Sequence, residues 1–411
     1  MERISTKEER QKVIMAKNYP TIGEYNQHIQ KKGGNAFSSL YGLNLIPSRT
    51  SPIKVYLFGS GAFAAVFKGS INGSNYAIRC FLTAEEETIT RSKDICNYLN
   101  GINSTWKTEC ELIEDEILIN GNTYPILKME WINGVLINQF VSNHLSNNNV
   151  LTELQEKLMA ISNDLEKHQV GHGDIQCGNI IIIGTSSNFK VKLIDYDGMY
   201  VPALTYKKSI EKGRSEFQHP KRTLNHFSPE MDRFSFWVMI TALEALKIDK
   251  TLWRKVMQEG FNTLDNFLFT IQDFLNPNQS KLFNRLYKLN SNSLNFYLDK
   301  LKYFCNSEYS SIEKPVLSEK NFENIPKNHH KFIPSNNVQR TQEIIVAHDK
   351  YKIISNDRTA FVLTSTFQKI GATPLEIDKK RYRGRVIIVS NGKETKRITL
   401  KLQNLIEIKF G

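Results

Sequence analysis

At 411 residues, the chain is long enough for two or three domains and a large core. Hydrophobic content of 40% and charged content of 23% are ordinary for a globular protein, and no apolar run approaches the roughly 18 residues of a membrane span. The start, MERISTKEERQK, is too charged for a secretory signal, which predicts a cytoplasmic protein with no membrane partner. Five cysteines (Cys80, Cys96, Cys110, Cys177, Cys305) are scattered, odd in number and never in a CxxC. That spacing argues for a reducing compartment and against a disulfide framework or a zinc site.

The net charge of +12 is unevenly placed. From Lys331 to Gly411 there are 16 Lys and Arg against 7 Asp and Glu, so this tail carries +9 and the first 330 residues share +3. Such asymmetry points the tail toward an acidic partner or nucleic acid.

In chain order, residues 1–50 read as an N-terminal helical extension, with helices over Lys7–Lys17 and Ile22–Lys31 and then a Gly/Ser/Asn-rich connection. From Ile53 the period becomes that of strands. VYLFGSGAFAAVFKGSINGSNYAIRCF reads as strand, glycine-rich turn, strand, an Asn72-Gly73 hairpin and a third strand. Gly59 and Gly61 sit in a turn where a backbone without Cβ atoms can approach a ligand, although a GxG alone is usually just a tight turn. Arg79 on the third strand could set a cation beneath that turn. Thr83 with Glu86 begins a helix to about Leu99 by capping-box logic. Two more strands, Glu116–Ile119 and Tyr124–Met129, lead into EWINGVL, Glu130–Leu136.

The strongest chemical signal is HGDIQCGNIIII, His172–Ile183, followed by KLIDYDG, Lys192–Gly198. Asp174 precedes Asn179 by five residues, and a short strand delivers Asp195 and then Asp197. Polar residues between apolar strands are costly unless satisfied. Two carboxylates and an amide on adjacent strands suit Mg²⁺, which takes a few hard oxygens and shares the rest of its shell with water and phosphates.

These motifs resemble the protein-kinase family, nearest to the eukaryotic-like (bacterial-type) serine/threonine kinases. The likeness covers roughly residues 50–305. It continues in GRSEFQHPK, Gly213–Lys221, which aligns without gaps on the family's GTPEYLAPE, and in DRFS, Asp232–Ser235, which looks like its DxWS motif. HGD-x4-N is also the catalytic loop of the aminoglycoside and choline phosphotransferases. The resemblance implies an α+β, two-lobed fold with a five-stranded N-lobe (51–130) and a helical C-lobe (131–305). Beyond a linker (306–340), short apolar runs predict a small basic all-β domain (341–411) of five or six strands.

The resemblance further implies an ATP- and Mg²⁺-dependent phosphotransferase acting on a protein hydroxyl, serine or threonine. Asp174 would orient the acceptor and take its proton. Asn179 and Asp195 would hold Mg²⁺, and Gly59, Ser60, Gly61, Ala62 and Val66 would cover the nucleotide. Arg79 would meet the phosphates, and Glu130, Trp131 and Ile132 would bind the adenine edge. Asp232 would brace the catalytic loop. The sequence departs from the family at Arg79 (lysine), Ala64 (glycine), Gly173 (arginine), Gln176 (lysine) and Lys221 (glutamate). The helix glutamate that should pair with the strand cation has no clear counterpart. Two alternatives stay open: a pseudokinase-type nucleotide-binding or docking module acting through the basic tail, and a small-molecule phosphotransferase. KKRYRGR, Lys379–Arg385, is a phosphate-binding cluster or a solvated loop with about equal warrant.

Overall fold

The computed structural model describes residues 19–48, 54–60, 64–83, 86–253, 267–318 and seven strands between Lys350 and Ile408. The predicted helix over Lys7–Lys17, the glycine-turn residues Gly61 and Ala62, the strand predicted at EIIVAH and the KKRYRGR cluster lie outside the described residues. The chain divides into two compact units, Met1–Glu323 and Asn324–Gly411. Both helices and antiparallel sheet are present, so the protein is of the α+β class. Among the described residues no helix is long and apolar enough to cross a membrane.

The first unit opens with helix α1 (Ile22–Lys32), started by a capping box in which Thr21 and Glu24 satisfy each other's backbone N–H. Its sheet has six strands rather than the five expected: β1 (Asn44–Ile46), β2 (Leu57–Ser60), β3 (Ala64–Ile71), β4 (Ser74–Phe81), β5 (Cys110–Ile119) and β6 (Asn122–Glu130). The order is β1-β3-β4-β6-β5, with β2 also on β3. The extra strand, β1, comes from the stretch read as an irregular connection. It pairs antiparallel with the far end of β3, Asn44 opposite Ser70, a match of distant residues that local propensity does not announce. Asn72-Gly73 and Asn120-Gly121 make the β3–β4 and β5–β6 turns, all four residues at positive φ as tight hairpins require. Phe67, Ile78, Ile117 and Ile126 fill the core beneath this sheet with Tyr25 and Ile29 of α1.

Helix α2 (Glu86–Asn100) packs on β5, and there the expected absence of disulfides is corrected. Cys96 on α2 and Cys110 on β5 are joined as a disulfide, their Cα atoms 5.4 Å apart. The fold brings the two thiols together across 14 residues, a pairing that cysteine count and spacing did not contain. Cys80, Cys177 and Cys305 are buried.

After β6 come β7 (Val135–Leu136), α3 (Ile137–His144) and α4 (Asn148–Lys167). Asn147 caps α4, and Leu151, Leu154, Leu158, Ile161 and Leu165 make its buried stripe at helical spacing. The hairpin β8 (Ile180–Thr185) and β9 (Asn188–Leu193) joins β7 in a three-stranded sheet. Helix α5 (Arg233–Ile248) is apolar nearly all round and every residue from Phe234 to Leu246 is buried, as such a helix must be. It packs on α4 and on the later helix Asn292–Asn306.

The second unit holds seven described strands where five or six were predicted. They form two sheets, of three and four strands. Lys369–Ala372 and Leu375–Asp378 are the strands that the sequence reading missed. Ile387, Ile388 and Val389 of one central strand have no exposed surface, so both of its faces are covered.

Candidate functional site

Between the large sheet and the β8–β9 hairpin of the first unit lies a cavity of about 560 Å³, within the range of small-ligand and cofactor sites. One wall is apolar: Ala64 and Val66 of β3, Ala77 of β4 and Met129 of β6. Ile181 and Ile194 face them. Glu130, Trp131 and Ile132 line the end where β6 leaves the sheet. The N–H of Glu130 donates to the Glu109 carbonyl and that of Trp131 to the Asn75 carbonyl, each at 2.9 Å. Phe58 meets the Trp131 ring edge-on at 5.1 Å, and Lys68 Nζ lies 4.3 Å from its centroid.

The polar wall is built by the loop before β8 and the turn after β9. Asn179 closes a 3₁₀ turn, and its amide nitrogen donates at 2.9 Å to both the backbone carbonyl and Oδ2 of Asp174. The other carboxylate oxygen of Asp174 accepts the Arg214 backbone N–H at 2.7 Å. Gln176 folds back to accept the Gly178 N–H at 2.7 Å and so caps the loop's own turn. His172 is fully buried, its Nε2 3.0 Å from the Ile194 carbonyl, which ties the loop to the end of β9. Asp232 accepts the backbone N–H groups of both His172 and Gly173.

Asp195 sits at φ +67°, a conformation rare for residues with a side chain and concentrated at functional sites. Tyr196 anchors this strained turn. Buried, it donates to the Leu193 carbonyl at 2.9 Å and accepts the Thr108 N–H at 2.5 Å.

The missing helix glutamate is answered here. Arg79 forms a bidentate pair with Asp197, Nη2 to Oδ2 at 2.6 Å and Nη1 to Oδ1 at 3.1 Å, and also meets Asp195 Oδ1 at 3.1 Å. On α2, Glu87 is paired with Lys207 instead, at 3.0 Å. Burial works against the Arg79 charge, but Asp197 and Asp195 outweigh it and raise its pKa. Burial raises the Asp197 pKa despite the pull of Arg79, and Asp195 pushes the same way. The planar fork of arginine suits two carboxylates where a lysine would meet one.

A residue absent from the sequence reading also faces the cavity. Burial, and then the nearby Asp174, Asp195 and Asp197, raise Glu211 to about 7 against a partial opposing pull from Arg222. Its carboxylate lies close to Gly198, where a Cβ would come within 2.9 Å of Oε1. Its only sequence signal is a lone acid in the lysine-rich run KKSIEKGR. Among the predicted cover residues, Val66 lines the cavity, whereas Gly59 and Ser60 sit on β2 outside the lining, and a Cβ at Gly59 would meet nothing within 4 Å. Lys221 pairs with Glu308 at 2.7 Å on the surface, a contact of small energetic weight.

Comparison with protein-family models and with curated proteins finds no match to this chain. What the site does is therefore argued from its own chemistry.

The donor set can be tested against magnesium. Among the described residues no three His, Cys, Asp or Glu side chains converge as a metal cage of their own. The oxygens of Asp195 and Asp197 and the Asn179 carbonyl, whose amide nitrogen is spent on Asp174, are hard ligands. They fit an ion that completes its shell with water and phosphate oxygens.

Proposed function

We propose that the chain is an ATP- and Mg²⁺-dependent phosphotransferase with a two-lobed, protein-kinase-like fold, transferring to serine or threonine hydroxyls of a protein. The observation that carries this reading is the meeting of Asn179, Asp195, Asp197 and Arg79 in the lining of a single cavity that is otherwise largely apolar, with Asp174 hydrogen-bonded to Asn179 at its edge. The apolar wall suits a base. With the N–H groups of Glu130 and Trp131 already spent on the protein, the Glu130 carbonyl and the Ile132 N–H would read its edge.

Phosphoryl transfer needs little covalent chemistry from the protein; it needs positioning and charge neutralisation. Asp174 is oriented by Asn179 and by the Arg214 N–H, and it would align the acceptor hydroxyl and take its proton. Arg79 would neutralise phosphate oxygens while Asp197 holds its fork in place. Mg²⁺, when bound, supplies further neutralisation of the phosphates at Asn179 and Asp195. The segment running to GRSEFQHPK favours a protein acceptor over a small molecule, since small-molecule phosphotransferases of this fold usually lack it.

One observation favours a second reading, a nucleotide-binding or docking module without transfer. Arg79 engages Asp195 itself, so the protein's own cation lies where a metal ion would compete. Thermal unfolding with increasing Mg·ATP tests the nucleotide site that both readings share. Saturation about 100-fold above Kd is expected to stabilise the chain by about 2.7 kcal/mol. An unchanged midpoint at millimolar Mg·ATP would rule out transfer and a nucleotide-binding module alike, leaving only a docking module that binds no nucleotide.

A further inference from the structure

Gly173, the residue just before Asp174, is held from both sides. The Gly173 N–H donates to Asp232 Oδ1 at 2.8 Å, and the Gly173 carbonyl accepts from Arg222 Nη1 at 2.9 Å. Gly173 cannot grip anything itself: its φ is +86°, and a Cβ there would lie 2.6 Å from the Gly198 carbonyl oxygen. An arginine side chain at this position, as in the resembled family, is excluded by that backbone.

Arg222 supplies a guanidinium from elsewhere. It is 3% exposed, and its Nη1 also reaches Gln218 Oε1. Its Nε and Nη2 have no partner among the described residues. A buried cation with donors left over is costly, which makes it a poor packing filler. Asp232, drawn electrostatically to Arg222, offsets part of that cost from the other side of Gly173. Arg222 also ends the segment whose Arg214 N–H is bonded to Asp174, so loop and segment close into one hydrogen-bonded unit. Two hydroxyls of the segment are already engaged locally: Thr205 Oγ1 donates to the Pro202 carbonyl at 2.6 Å, and buried Ser209 donates to the Glu211 carbonyl at 2.5 Å.

We infer that Arg222 is a positioning residue, an internal brace that holds Gly173–Asp174 in working geometry without a phosphate on the segment between Thr205 and Thr223. This rests on the phosphotransferase reading. The test compares the full-length wild type with Arg222→Gln and Arg222→Lys, by steady-state transfer from labelled Mg·ATP and by backbone amide exchange across residues 172–179. Arg222→Gln is expected to lower kcat by about 10²-fold with the KM for ATP within about threefold, and Arg222→Lys to recover part of the loss. Exchange across the loop should quicken in Arg222→Gln, and treating the wild type with a broad-specificity protein phosphatase should leave its rate unchanged.

Unaltered kcat and exchange in Arg222→Gln, or activity abolished by the phosphatase, would overturn the brace. Should Arg222→Gln not fold, Arg222→Lys decides by the same split of kcat from KM. Should the wild type transfer nothing, the phosphotransferase reading fails, and the exchange result alone decides whether Arg222 braces the loop.

Discussion

Replacing Asp232 by alanine is expected to cost the chain about 2–5 kcal/mol of stability, the larger of the two structural effects foreseen here. The carboxylate is 3% exposed and accepts the backbone N–H groups of His172 and Gly173. Alanine would leave two buried donors without an acceptor, and Arg222 without its counter-charge. Burial raises the Asp232 pKa against the pull of His172 and Arg222, so the residue stabilises chiefly as an acceptor of hydrogen bonds rather than as a free charge. Denaturant unfolding measures the loss, and the midpoint should fall with the slope unchanged. A variant within about 0.5 kcal/mol of wild type would mean that these N–H groups find other acceptors and that the loop does not depend on Asp232.

Arg79→Met is expected to remove both nucleotide binding and about 2–4 kcal/mol of stability near neutral pH. The substitution keeps apolar bulk but leaves Asp195 and Asp197 facing each other without a cation. Most of the loss belongs to Asp197, whose side chain is 23% exposed; Asp195, at 49%, is screened by solvent and counts for little. The sign of the pH dependence follows from the Asp197 shift. Its pKa is already raised with Arg79 present and must rise further without it. A raised carboxyl contributes fully below its unfolded pKa and loses that contribution as pH climbs through the folded one. The deficit of Arg79→Met should therefore be small near pH 4 and grow toward pH 7. Arg79→Lys, a point charge without the fork, should fall between. Unfolding curves at the two pH values, each with and without Mg·ATP, separate the stability effect from the binding effect.

The elements of the first unit were legible where periodicity and turn chemistry agree. The α4 stripe, the two Asn-Gly hairpins and the uniformly apolar α5 all declare themselves in sequence windows of ten to twenty residues. Strand β1 did not, because its reason for being a strand is β3, more than twenty residues away. The site was legible in part for the same reason. Asp174, Asn179, Asp195 and Arg79 carry a recognisable order. The partner of Arg79 is Asp197, 118 residues distant, and it takes the place that the resemblance assigned to a helix glutamate. Glu211 and Arg222 belong to a basic segment that looks solvated in sequence, and only the fold shows that both turn inward. The Cys96–Cys110 pair was hidden likewise, since a helix and a strand had to meet before their thiols could.

The central claim, that this cavity transfers phosphate, is tested most directly by incubating the full chain with γ-labelled ATP and Mg²⁺, with and without a generic protein acceptor, beside Asp174→Ala and Asp195→Asn. The predicted result is label on the chain or on the acceptor with the wild type alone, because in this reading Asp174 would align the acceptor and Asp195 would hold the metal ion. Wild-type labelling no greater than that of Asp174→Ala would contradict it.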